Sequence, residues 1–223
     1  MKVRLLACTP DAEKLCAASG HSCYSNKPAG DIFDNITQEE SKEKLDKIIG
    51  LGHLSVIEHA CFTFSLEGVS RVLTHQLVRH RIASFSQQSQ RYVILEKPDY
   101  VIPNEIKSNE ECEKIYRDAL DKIWDAYNKL IGLGINAEDA RYLLPNAAKT
   151  NIVVTMNARE LMHFFRLRTC NRAQWEIREA ANLMLNEAKK IAPKIFEKAG
   201  PPCEVGPCPE GKKSCGRYKG KKK

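Results

Sequence analysis

At 223 residues, 43% hydrophobic and 28% charged, the chain has the composition of a soluble globular protein with room for a real core. Its formal charge of +7 is unevenly spread: residues 201–223 hold seven Lys/Arg against Glu204 and Glu210, a net +5, so the body carries only about +2 and no nucleic-acid partner is expected. No apolar run reaches the ~20 residues needed to span a bilayer, and "MKVRLLACTPDAEK" lacks a signal-peptide core, so no membrane partner and a cytoplasmic location are expected.

In chain order, "MKVRLLA" reads as a strand. "TPDAEKLCAAS" reads as a helix with Thr9 as N-cap and Pro10 at its first position. "TQEESKEKLDKIIG" carries a capping box from Thr37 to Glu40 and stops at Gly50. "CFTFSLEG" alternates Phe62, Phe64 and Leu66 with Thr63, Ser65 and Glu67, a half-buried strand, and "RYVIL" reads as a second strand of that sheet. "SNEECEKIYRDALDKIWDAYNKLIGLG" reads as a long helix capped by Ser108 and Glu111, with an inward stripe of Ile115, Ala119, Ile123, Ala126 and Leu130.

"AEDARYLL" reads as a short helix ending at Pro145, and "NIVVTM" as a third strand. Asn157 caps "ARELMHFFRLR", with Glu160 at the third helical position, and a last helix covers about 173–198. The expected fold is α+β: a single domain with a small, mainly antiparallel sheet flanked by several helices. Residues 1–198 form the domain; residues 199–223, rich in Cys, Gly, Pro and Lys, read as an irregular tail.

The nine cysteines do not suit a secreted disulfide scaffold in a chain this long and are expected to be reduced. Cys203, Cys208 and Cys215 crowd the tail at spacings that do not form C-x-x-C pairs. Three thiolates leave zinc one ligand short, so no metal is expected, and a redox-sensitive or loose tail is the preferred reading. The basic end "GKKK" reads as solvated.

The chemistry concentrates where Lys disappears. No Lys lies between 48 and 96, which holds Arg71, Arg79, Arg81 and Arg91. None lies between 150 and 188, which holds Arg159, Arg166, Arg168, Arg172 and Arg178. A guanidinium fork suits phosphate, carboxylate or a flat ring, so two such regions suggest a pocket for a phosphorylated, ring-bearing ligand. Arg–Glu pairs through Glu58, Glu67, Glu160 or Glu176 are the alternative. The first region also packs Ser84, Ser86, Gln87, Gln88, Ser89 and Gln90 between its arginines, groups that read amide edges and phosphate oxygens. Ser89 has no convincing base, so it reads as a binding group and not a nucleophile.

The same residues carry a resemblance. "RHRIASFSQQS" fits the RHR, seven residues, Ser signature of the flavin-dependent thymidylate synthases. "GHLSVIEHACFTF", "ARYLLP", "TMNARELMHFFRLR" and "AQWEIR" are similar to that family's other blocks, in order, over roughly residues 1–198. The resemblance implies a catalytic domain that reductively methylates dUMP to dTMP. It implies 5,10-methylenetetrahydrofolate as carbon donor, FAD as hydride source, NADPH as the reductant of the flavin, and a homotetramer with shared active sites. By position, Ser55, Arg79, His80, Arg81, Gln87, Asn157, Ala158, Arg159 and His163 would bind FAD. Gln76, Leu77, Val78, Arg79, Gln87, Gln88, Ser89, Gln90, Arg91, Arg141 and Arg168 would bind dUMP, and His53 would sit in the folate and flavin pocket. Arg168 would be the catalytic cation, stabilising negative charge on the uracil ring. A non-catalytic nucleotide- or RNA-binding module is the rival, and it would need aromatic platforms; only Phe85 and Tyr92 lie near the motif.

Overall fold

The computed structural model of the chain describes residues 1–218. The fold is α+β. Four strands, β1 (Lys2–Cys8), β2 (Cys61–Ser70), β3 (Ala83–Gln87) and β4 (Lys149–Asn157), form one antiparallel sheet in the order β1-β2-β4-β3. The helices are α1 (Ala12–Ser22), α2 (Ala29–Asn35), α3 (Gln38–Gly50), α4 (Arg71–Leu77), α5 (Asn104–Lys107) and α6 (Glu110–Gly132). They continue with α7 (Ala137–Ala140), α8 (Ala158–Arg168), α9 (Trp175–Ile191) and α10 (Pro202–Val205). Among the described residues no helix is long and apolar enough to cross a membrane.

The chain divides into two compact units, and the boundaries fall inside β1, β2, β3 and β4 and between Arg79 and His80. The larger comprises, among the described residues, 3–65, 80–85 and 153–218. In it β2 buries Phe62 and Phe64 on one face, as the period-2 alternation predicts. The other face pairs Thr63 with Thr155 of β4 through their hydroxyls at 2.9 Å. Phe62 and Phe165 both meet Phe196 edge-on, at 5.3 and 5.8 Å between ring centroids. The capping box of α3 forms as expected: Glu40 N donates to Thr37 Oγ1, and Thr37 N donates to Glu40 Oε2. Thr9 does not cap α1. Its hydroxyl instead accepts from Cys61 N at 2.9 Å, and Asp11 takes the N-cap position with a left-handed backbone, φ 46°.

The second unit comprises residues 1–2, 66–79 and 86–152, and its core is built on Trp124 and Tyr127 of α6. Here the structure corrects three expectations. The cap of α6 is Asn109, whose side chain accepts from Cys112 N, while Ser108 donates to Glu105 O. The buried stripe is Leu120, Trp124 and Tyr127, whereas Ile115 is 63% exposed. The aromatic side chains bury more area than the isoleucines and alanines one position away, and they set the helix's rotation. Finally, "RYVIL" is not a strand: Leu95 O accepts from Trp124 Nε1 at 3.1 Å and Leu95 N donates to Tyr127 Oη. Side chains of α6 satisfy the main-chain groups a ladder would have used. α6 runs through Gly132, where the sequence reading ends it; Leu133 is the C-cap, and the left-handed residue is Gly134, φ +86°, with Ile135 N reaching Leu130 O.

Candidate active site

In the larger unit the site grows from α8. Asn157 closes its first turn by accepting from Glu160 N at 2.9 Å, and Ala158 N, the first helical donor, is committed to Ala60 O. The cap thereby fixes Glu160, whose carboxylate Oε1 lies 3.0 Å from His80 Nδ1. Both side chains are buried, His80 with 4% and Glu160 with 7% of its surface exposed. From the other end of α8, Arg168 Nε donates to His80 Nε2 at 3.2 Å.

This arrangement fixes the tautomer. A guanidinium has no acceptor, so His80 Nε2 must present its lone pair, and the ring proton must sit on Nδ1, donating to Glu160. Burial pushes the His80 pKa down, the Glu160 bond opposes that, and Arg168 lowers it further, so the ring is held neutral. Burial also lowers Arg168 from its ordinary value, which still leaves a permanent cation. Glu160, His80 and Arg168 thus form a chain that ends on one oriented guanidinium.

His163, one turn before Arg168, stands edge-on to His80 with 5.7 Å between ring centroids. His80, Glu160 and His163 place ligand atoms within 4.8 Å of one another. Both His80 nitrogens are already engaged, by Glu160 and Arg168, and a metal cation there would face the Arg168 guanidinium. His163, Arg166, Arg168, Asn171 and Arg172 line a cavity of about 420 Å³ whose far wall is the C-terminal tail.

The RHR motif splits by burial: His80 turns inward while Arg81 is exposed, and Arg79 is exposed in its own unit. His53 and Ser55 are exposed on the turn before β2. Arg159 pairs with Glu58 at 2.5 Å on the surface, as the Arg–Glu reading anticipated, but both are about half exposed and contribute little.

The second unit holds the other half of the expected residues. Gln87 Nε2 donates to Thr74 Oγ1 and Thr150 Oγ1, at 3.2 and 3.4 Å. Gln88 N donates to Asn151 O at 2.9 Å, and Ser89 Oγ accepts from Arg91 N. Arg91 pairs with Glu138 at 2.8 Å. Gln90 Nε2 is buried with no hydrogen-bond partner, a donor waiting for an acceptor. Leu77 is wholly buried, main chain included, and reaches no surface a ligand could touch, whereas Val78 is exposed. Gln76 Nε2 contacts Val72 O at 3.4 Å. Arg141 lies near enough to Arg71 to push its pKa down, after the larger effect of burial.

Residues the sequence did not assign to the site are Glu160, read as an Arg partner and as the third helical position of α8, and Thr74, Thr150 and Asn151; Arg71 was read within an Arg-only region but given no role. The signal for Glu160 was its position three residues after a capping Asn, which ties it to the helix start.

The model of the family described as Thymidylate synthase complementing protein matches residues 4–194. The chain belongs to that family. A flavin-dependent thymidylate synthase of Geobacter sulfurreducens is 50% identical over 219 residues, 97% of this chain and 94% of that one. One from Clostridium tetani is 48% identical over 233 residues, with the same coverage of 97% and 94%. Among solved structures, the UMP/dUMP methylase PolB from Streptomyces cacaoi, bound with 5-Br dUMP, superposes with a TM-score of 0.75. It covers 89% of this chain and 95% of its own at 22% identity, a likeness of fold. The α+β architecture expected from the sequence is therefore that of the thymidylate synthase complementing family, and the RHR signature that carried the resemblance lies inside the matched region.

Proposed function

We propose that the protein reductively methylates dUMP to dTMP, with 5,10-methylenetetrahydrofolate as carbon donor and FAD, reloaded by NADPH, as hydride carrier. Membership of the flavin-dependent thymidylate synthases supports the reaction class. The observation that carries the mechanism is the chain Glu160–His80–Arg168.

FAD supplies the hydride chemistry when bound. The donor set suits its pyrophosphate, because Arg79 and Arg81 are exposed forks that make no ion pair among the described residues. Asn157 and Arg159 from α8 and His53 and Ser55 from the turn before β2 would complete that binding, with His163 lining the cavity that Arg168 also lines.

Arg168 would hold positive charge beside the uracil ring. Negative charge developing on the ring is stabilised by a cation that need not reorganise, and carbon 5 becomes nucleophilic. His80 and Glu160 orient that cation. For the nucleotide, Arg71 and Arg141 offer paired positive charge to a phosphate, while Gln90 Nε2 and Gln88 offer amide contacts. Ser89 would bind through its hydroxyl, which accepts from Arg91 N, without covalent attack. The reading includes a homotetramer with active sites shared between copies, and a cytoplasmic enzyme.

The test is the visible spectrum of the purified protein under anaerobic NADPH. A flavin band that bleaches, and recovers only after dUMP and methylenetetrahydrofolate are both added, is the expected result. A colourless protein that stays inert after added FAD would overturn the reading in favour of a non-catalytic nucleotide- or RNA-binding module.

A further inference from the structure

The cavity beside Arg168 is also where four cysteines meet. Cys170, Cys203, Cys208 and Cys215 all line it, and all four are free thiols. Three belong to the tail, which by spacing alone is one ligand short of a thiolate metal site. The fold supplies the fourth: Cys170 lies two residues beyond the last turn of α8.

The tail is held around this point. Arg172 donates to Lys213 O at 2.9 Å and lies 3.5 Å from a Glu210 carboxylate oxygen, and Arg217 pairs with Glu204. Those contacts bracket the segments that carry Cys203, Cys208 and Cys215. Pro202 precedes Cys203, and Pro207 and Pro209 flank Cys208. Proline restricts the backbone before any ligand arrives, which lowers the entropy lost on ordering.

We propose that Cys170, Cys203, Cys208 and Cys215 are the four thiolate ligands of a four-iron iron–sulfur cluster that straps the tail to the end of α8. Four thiolates are the usual ligand set of such a cluster. Spacing separates it from zinc. Tetrahedral zinc with bonds of about 2.3 Å draws its sulfurs to roughly 3.8 Å from one another. The described residues whose ligand atoms already lie close enough to share one ion are His80, Glu160 and His163, not these cysteines. A cluster in which each thiolate binds a different iron spreads the sulfurs more widely, and the cavity of about 420 Å³ has room for it. Each thiol gives up its proton on ligation. The resulting negative charge is met by Arg166 and Arg172 on the same wall. None of this depends on the reaction proposed above.

The test uses the full chain, purified anaerobically and reconstituted with equimolar ferric and ferrous iron and sulfide, with iron, zinc, sulfide and flavin each measured per chain. About four iron and four sulfide per chain are expected. Iron should fall at least tenfold in Cys170→Ala and Cys208→Ala and stay unchanged in Cys112→Ala, whose thiol is exposed on α6. Cys215→Ser, at an exposed tail position, should give the same loss with unchanged far-ultraviolet circular dichroism, separating lost ligation from misfolding. One zinc per chain in place of iron, no metal at all, or iron retained in Cys170→Ala and Cys215→Ser would each overturn the cluster.

Discussion

Arg168 Nε and His80 Nε2 are 3.2 Å apart, and because only the guanidinium can donate, this single contact dictates the protonation of the buried imidazole. The proton lies on Nδ1, where Glu160 accepts it at 3.0 Å. A residue at the start of α8 therefore controls the orientation of the cation at its end.

Glu160→Ala leaves His80 Nδ1–H buried without an acceptor, which should cost about 1–3 kcal/mol of stability. Loss of orientation should also lower kcat for dTMP formation roughly tenfold with little change in the KM for dUMP. Glu160→Gln keeps an acceptor oxygen and should recover most of both. Equal effects of the two substitutions, in thermal denaturation and steady-state kinetics, would remove Glu160 from its positioning role.

The depressed pKa of His80 makes a signed prediction about pH. In the unfolded chain the imidazole titrates near ~6.5, above its value in the fold. As pH falls below that point the unfolded state takes up the proton first, so the fold loses stability. Stability should be fullest above about pH 6.5 and decline as pH falls toward the depressed value. Melting temperatures measured from pH 8 to 5 should show this slope, and His80→Asn should flatten part of it; an unchanged slope would contradict a neutral buried His80.

The Arg71–Arg141 pair should behave as an anion site. Arg141→Ala should raise the KM for dUMP about tenfold to a hundredfold, the loss of one charge-assisted contact. The wild-type KM should rise with salt more steeply than the variant's. A KM unmoved by the substitution, measured at low salt, would dismiss the pair as a substrate contact.

Much of this was legible in the sequence because it was local. The Thr37–Glu40 capping box, the Phe62/Phe64 alternation and the Asn157 cap depend on neighbours within four residues, and each formed. The failures were decisions made elsewhere in the chain. "RYVIL" has strand composition, yet Trp124 and Tyr127 of α6 take the hydrogen bonds of Leu95. Thr9 has capping chemistry, yet β2 claims its hydroxyl. The inward stripe of α6 was placed on isoleucine and alanine, whereas burial followed the aromatics one position on. The two Arg-only regions include Arg71 and Arg168, the cations of the candidate site. Sequence could not show that His80 faces inward between Glu160 and Arg168, 80 and 88 residues away. Nor could it show that Cys170 shares a cavity with the tail thiols.

The most direct test of the central claim is the rate of dTMP formation by Arg168→Ala at saturating dUMP and methylenetetrahydrofolate, with bound flavin measured on the same sample. Removing one preorganised charge at the reacting ring should lower kcat by about 10²–10³ while flavin content stays near that of the wild type. Turnover within a few-fold of wild type would show that the cation held by His80 and Glu160 is not the group that stabilises the ring.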